Sequence, residues 1–289
     1  RDGAVTTSQQ YNFYTNDYQN LQVRTTRPRI LMKPEDIAVW KSRIQPGGSH
    51  ETEWNQLKSG CDTLLNKAPD ASNGGLYESQ SSYYNEKATA LAVCYLLSDN
   101  VAYKNKAYDF AAYVAGIGSN SFPETTDPNP SGGFTRISAR YRVPVVAPIY
   151  DSLYDSLTSA QRQTLRDGLY QMTRAIADKH IADDSKIEGH PVEYVNSVIE
   201  GAIALYGEYT DNTDEDLYQD VLFNHYYGLM PGRRFFFAVD GGSLLGYGYG
   251  TLRDISFARS GFALNTASSN VNVLAGESFW IEPYAKWWL

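Results

Sequence analysis

Apolar residues at three- and four-residue spacing alternate along the chain with stretches rich in Gly, Ser, Asn and Pro, and that rhythm predicts helices in series. After a polar segment to about Thr26, Lys33-Pro34-Glu35-Asp36 opens a helix that runs to about Gln45, with proline near its first turn and acids at the positive end of its dipole. Trp54, Leu57, Cys61, Leu64 and Leu65 form one stripe of a second helix, from near Ser49 to about Lys67. Asp70 to Ser82 reads as a loop. Tyr84 to Leu97 is Ala-rich and apolar nearly all round, as an inner helix would be, and Val101 to Ile117 is its more mixed partner. Ser119 to Gly133 reads as a long loop, of the kind that often carries function. Ser138 to Leu157 has a helical pattern, but Pro144 and Pro148 predict a kinked or non-helical first part. Thr158-Ser159 supplies an N-cap for a long amphipathic helix through about Asp183.

Two more helices are predicted, Glu193 to Tyr209 and Thr213 to Gly228, joined by the Asp211-Asn212 turn. Past Met230-Pro231-Gly232, Phe235 to Val239 is a short apolar run, a strand or buried extended segment. It precedes a Gly-rich stretch from Gly241 to Gly250, a last helix from Thr251 to Ala267, and a mostly irregular end from Val271 to Leu289. Hairpin order with alternating apolar and amphipathic helices predicts an all-α domain with an inner and an outer ring. The lack of a fixed repeat length argues against a regular solenoid.

Composition narrows the class. At 289 residues the chain suits one large domain, here 27–289, preceded by the polar segment 1–26. No run of about 18 apolar residues is present, which points to a soluble protein. A net charge of −8 argues against non-specific nucleic-acid binding. The polar, Ser/Thr-rich start resembles a processed end, and a secreted or periplasmic location is expected. Cys61 and Cys94 are expected to be buried small side chains, with a bridge between them the alternative. Twenty-three tyrosines outnumber eleven phenylalanines, and a phenol both stacks on a sugar ring and hydrogen-bonds.

Chemistry concentrates in two stretches. In Glu188-Gly189-His190-Pro191-Val192-Glu193 an imidazole precedes a helix and a carboxylate follows three residues later; the pair suits proton transfer, with a partly buried Glu kept neutral to donate a hydrogen bond. The bland alternative is a helix-start Glu beside an ordinary loop His. In Asp240-Gly241-Gly242-Ser243-Leu244-Leu245-Gly246-Tyr247-Gly248-Tyr249-Gly250 the glycines allow close approach of a ligand to backbone while Tyr247 and Tyr249 project from the same segment. Arg253 is the candidate cation to lower a phenol's pKa. The lysine and strand–helix context of a phosphate loop are absent.

These blocks resemble the heparinase II/III-like polysaccharide lyases. Arg27-Pro28-Arg29-Ile30-Leu31-Met32-Lys33-Pro34-Glu35-Asp36 is similar to that family's opening motif. Arg140-Tyr141-Arg142 through Ala147, Tyr150-Asp151 and Leu157-Thr158 resembles its Ala-x-x-Tyr-Asp helix, while His190 and the Asp-Gly-Gly-Ser…Gly-Tyr stretch resemble its His and Tyr blocks, in the family's order over roughly 27–260. The resemblance implies an incomplete (α/α) toroid, followed in complete enzymes by a β-sandwich region, and β-elimination beside a uronic acid of an acidic polysaccharide. It implies Tyr247 as proton shuttle, with Tyr249 in reserve, His190 as the group that neutralises the substrate carboxylate or assists proton transfer, and Glu193 as the match to a carboxylic acid that some members place three residues after the histidine. Arg136, Arg140, Arg142, Arg233, Arg234 and Arg253 are candidate substrate-binding cations.

The chain departs from that pattern at Gly189, where the family has Asn, and at Leu245, where it commonly has Glu. No cofactor motif is present; a metal is implied only for the β-rich region. Two readings of another class stay open: an (α/α)-barrel glycoside hydrolase or epimerase, with Asp151, Asp155, Glu188, Glu193 and Asp240 as candidate carboxylates, and a non-catalytic glycan-binding domain.

Overall fold

The computed structural model describes residues 21–69, 87–120, 133–182, 195–208, 259–270 and 272, with backbone alone at 117–120, 133–141, 178–182 and 195–196. These residues are helical: α1 Asp36–Arg43, α2 Glu51–Leu65, α3 Thr89–Ser98, α4 Val101–Asn120, α5 Gly133–Leu153, a 3₁₀ turn Tyr154–Ser156, α6 Ser159–Ala182, α7 Val195–Leu205 and α8, 259–267. Among the described residues the β contribution is one isolated bridge, Val23 to Ser268. None of their helices is long and apolar enough to cross a membrane. The expected segments 70–82, 213–228 and 235–250 lie outside the described residues.

Burial sorts the helices into two kinds. On α4 the buried positions are Tyr103, Ala107, Phe110, Ala111, Val114 and Ala115, and on α6 they are Leu165, Gly168, Leu169, Met172, Thr173, Ile176 and Ala177. Each set is a single stripe at helical spacing, the mark of a helix with one face on the core and one on water. By contrast α5 is buried almost continuously from Arg142 to Leu153, and α7 from Ser197 to Leu205. Packing follows the same division: α3 lies against α5 and α5 against α7, while α2 lies against α4 and α4 against α6. The α2–α3, α3–α4, α4–α5, α5–α6 and α6–α7 pairs join the two sets. Each Leu or Ile taken fully out of water this way contributes about 1.5–3 kcal/mol.

Local chemistry sets the helix ends. Thr158 Oγ1 accepts from the Gln161 amide at 3.2 Å, and Gln161 Oε1 accepts from the Thr158 amide at 3.0 Å, a reciprocal cap at the start of α6. Between α3 and α4, Asp99 takes a left-handed conformation and its carboxylate meets Lys41 of α1 at 2.6 Å. Asn100 Oδ1 then accepts from the Ala102 amide at 3.0 Å, opening α4.

Two sequence expectations need correction. The non-helical alternative for the first part of Ser138–Leu157 is excluded, because helix α5 runs from Gly133, through Pro144 and Pro148, to Leu153. A proline removes one backbone donor, but α5 is wrapped by α3, α4, α6 and α7, and that packing outweighs the lost bonds. The cysteines are not separate buried thiols: Cys61 and Cys94 form a disulfide that pins α2 to α3.

Candidate functional site

The most heavily bonded polar cluster among the described residues grows from the segment 21–30, a strap laid across the ends of three helices. Its outer edge pairs with the end of α8. The Arg24 amide donates to Ala267 O at 2.8 Å, the Gln22 amide to Asn270 Oδ1 at 3.0 Å, and the Ser269 amide to Gln22 O at 2.9 Å. Its inner part is held by Asp151, near the end of α5. Asp151 Oδ2 accepts from the backbone amides of Arg29 at 2.6 Å and Ile30 at 2.9 Å, while Oδ1 accepts from Arg27 Nη1 at 3.2 Å.

The arginines carry the strap onward to α7. Arg27 Nη2 donates to Ala204 O at 2.8 Å and to Glu208 Oε1 at 2.6 Å, and Arg29 Nη2 donates to Tyr206 O at 2.8 Å. Glu208 can turn back because Gly207 has a φ of 81°, in the left-handed region open to glycine. The Arg27 guanidinium also sits 4.0 Å from the Tyr154 ring centre, with Arg162 at 5.1 Å from the same ring. Burial, reinforced by the neighbouring Arg27, lowers the Arg29 pKa to about 10, against the opposing pull of Asp151 and Glu208.

Thus the first two resemblance blocks, 27–36 and 150–158, meet in space at Asp151. The chemistry at that meeting point is structural. The Asp151 side chain is sealed from solvent and its oxygens are engaged by guanidinium and amide donors, so it lacks the access a catalytic carboxylate needs. Asp155 is exposed. Burial raises the pKa of Tyr150, Tyr154 and Tyr103, with negative charge from Glu208 adding to it at the first two and a hydrogen bond to Asp62 at the third. That is the wrong direction for a phenol that must accept a proton near neutral pH. No family model and no curated protein matches the chain.

Of the candidate site residues, Arg136 and Arg140 lie in the first half of α5, described there as backbone. Arg142, also on α5, is only 1% exposed, and burial lowers its pKa against an opposing contribution from Tyr113. Its guanidinium therefore belongs to the interior in this structure. Tyr247, Tyr249, His190, Glu193, Arg233, Arg234, Arg253, Glu188 and Asp240 lie outside the described residues. Among the described residues no group of three or more His, Cys, Asp or Glu side chains is placed to hold a metal ion.

Two acidic residues of structural weight are absent from the sequence-based candidates. Glu208 follows a helix-ending glycine, a weak signal. Glu200 is the lone charge in the apolar helix α7, a stronger one, because a buried charge needs a partner. The partner is Arg259 of α8, whose Nε meets Glu200 Oε1 at 2.8 Å and whose Nη2 meets Oε2 at 3.0 Å.

Helix direction completes the geometry. Arg27 touches both Asp151 and Ala204, so α5 and α7, which pack together, bring their C-terminal ends to the strap. The strap likewise joins Tyr206 of α7 to Ala267 of α8 through Arg29 and Arg24. With Glu200 and Arg259 paired further back, α7 and α8 run the same way.

Proposed function

We propose that this chain is the helical domain of a polysaccharide lyase that cleaves a uronic-acid-containing polysaccharide by β-elimination. The observation that carries the reading is the shared direction of α5, α7 and α8. Their C-terminal ends meet at the strap, so their N-terminal ends share the opposite end of the array. There the first half of α5 carries Arg136 and Arg140; in the sequence, His190 and Glu193 precede α7, and Tyr247, Tyr249 and Arg253 precede α8. The two-set packing, α3–α5–α7 inside and α2–α4–α6 outside, supports an incomplete (α/α) toroid. A partner β-sandwich region and a secreted or periplasmic location belong to the same proposal.

In the proposed reaction, His190, Glu193 and the arginines bind and neutralise the uronate carboxylate, which makes the C5 proton more acidic. Tyr247 as phenolate takes that proton. The electron pair forms the C4–C5 double bond, the C4–O4 bond breaks, and O4 leaves with the proton returned by the Tyr247 phenol. The products are an unsaturated uronate and a new chain end.

The test is to incubate the protein with a panel of glycosaminoglycans, alginates and glucuronans while following the ultraviolet absorbance of the unsaturated uronate. The expected result is a rise on one class of substrate, lowered about 100-fold or more by Tyr247→Phe and by His190→Ala. Reducing ends that accumulate without the chromophore would replace the lyase with a hydrolase. Silence in both signals would leave a glycan-binding domain.

A further inference from the structure

Between residues 31 and 69 the buried side chains are Ile44, Cys61 and Leu64. Helix α1 supplies none of them and α2 only Cys61 and Leu64, whereas α4 and α6 each bury a full stripe. Trp54, Leu57 and Leu65 of α2 pack on the core while staying partly wet. The polar ties of this arm lie near the surface: Lys41 Nζ meets Asp99 at 2.6 Å, and the Tyr103 hydroxyl of α4 donates to Asp62 Oδ1 at 2.5 Å. Exposed ion pairs contribute little, and helices of 8 and 15 residues are marginal in water without a surface to lie on. The arm therefore rests on α3 and α4 through a thin apolar contact, and one covalent link, Cys61–Cys94, crosses it. On either side the chain is firmly held: the Ile30 amide donates to Asp151 at 2.9 Å, and Ala88, Leu91 and Ala92 lie in the core.

Burial decides how that link can be broken. Cys61 is 1% exposed and Cys94 0%. Thiol–disulfide exchange needs an incoming thiolate to reach a sulfur, and α2 lying on α3 closes the approach. We propose that the α1–α2 arm is a redox latch. It stays shut while Cys61 and Cys94 are joined, and on reduction it leaves α3 and α4 as a unit while α3 to α7 remain folded. Brief opening of the arm admits a dithiol, one thiolate of which attacks a sulfur of the bridge, forming a mixed disulfide and freeing the other cysteine. The dithiol's second thiolate displaces the remaining cysteine. Both cysteines end as thiols, having gained two electrons and two protons, and the dithiol ends as a cyclic disulfide. Release bares Leu57 and Leu64 of α2 together with the α3 surface around Cys94.

The experiment follows reduction of the folded, oxidised protein by dithiothreitol, trapping thiols by alkylation and counting them by mass, in the parent, Leu64→Ala and Leu165→Ala. Leu64 is on the arm; Leu165 is in α6, in the part that stays folded. In Leu64→Ala the rate of reduction rises about 10-fold or more, and in Leu165→Ala it stays within about 2-fold of the parent. Equal acceleration in both would mean that the bridge is reached only by unfolding of the whole chain, and no acceleration in either would mean that the arm does not guard it; each outcome overturns the latch. Hydrogen exchange is then compared among the oxidised parent, the reduced parent and Cys61→Ser/Cys94→Ser. In the last two, exchange in α1 and α2 rises about 10-fold or more while α5 and α7 stay within about 2-fold. A rise spread evenly over all helices, or none in α2, would also sink the proposal. If Leu165→Ala does not fold, the exchange pattern decides alone.

Discussion

Asp151 shows how much one side chain can hold in place. It accepts from the Arg27 guanidinium and two backbone amides, and forms an ion pair with Arg29 at 3.5 Å, while its own side chain is closed to water. Asp151→Asn keeps the shape but removes the charge, leaving Arg27 and Arg29 short of a counter-ion in the interior. The expected loss is about 3–5 kcal/mol of unfolding free energy, read from denaturant titration, because breaking a buried pair strands the remaining charge. Glu200 makes the opposite case in its titration. Burial pushes its carboxyl above the ordinary 4.5, against the pull of Arg259. Between those two values the folded chain keeps a proton that the unfolded chain has released, so this residue makes stability fall as pH rises through that window. Glu200→Gln deletes the titration, and urea unfolding at a series of pH values should give a shallower slope above about pH 4.5. An unchanged slope would mean that the ionisation of Glu200 is not coupled to folding.

At the level of elements, the helices are legible in the sequence because burial writes itself into spacing. The stripe Trp54, Leu57, Cys61, Leu64, Leu65 is plain from the order of residues alone, and in the fold Cys61 and Leu64 are buried with the other three packed against the core. The cap at Thr158 is readable for the same local reason. What fails is local logic applied to a helix governed from outside. Pro144 and Pro148 argue for a break by propensity alone, yet α5 is gripped on all sides and continues. The disulfide is equally hidden, since pairing depends on how α2 and α3 meet and not on the residues beside each cysteine. The close contact of α4 with α6 gives a further expectation. A Cβ on Gly168 would stand 2.7 Å from Ala115 Cβ and 3.0 Å from Ala115 O. Alanine normally gains about 1 kcal/mol over glycine inside a helix, but here the helices would have to separate. Gly168→Ala should therefore lower stability, by about 1–3 kcal/mol in a thermal or urea melt. A rise in the melting temperature would show that α4 and α6 have room to shift.

For the whole molecule, the disulfide and the strap close different distances. Cys61 and Cys94 lie 33 residues apart, and cross-linking a loop of that size restricts the unfolded chain enough to contribute about 3–4 kcal/mol. Thermal melts with and without reductant should show the parent losing that stability on reduction, while a Cys61→Ser/Cys94→Ser variant melts low and ignores the reductant. Equal sensitivity in both would locate the effect of reductant elsewhere. The all-helical class is legible in the sequence, and so are the two blocks that meet at Asp151. Their joint role as a clasp is not, because Arg27 and Asp151 are 124 residues apart and nothing local links them.

The strap also sets a timetable. Gln22 meets Asn270 across 248 positions of the chain. A ribosome delivering about 5–20 residues per second needs on the order of ten seconds or more to make that stretch. Throughout that interval the outer edge of the strap has no ledge to lie on, however early α2 to α6 have formed. Its seam with 267–270 is a closing event in the birth of the protein, and the newborn chain must keep residues 21–24 unclaimed by other partners until then.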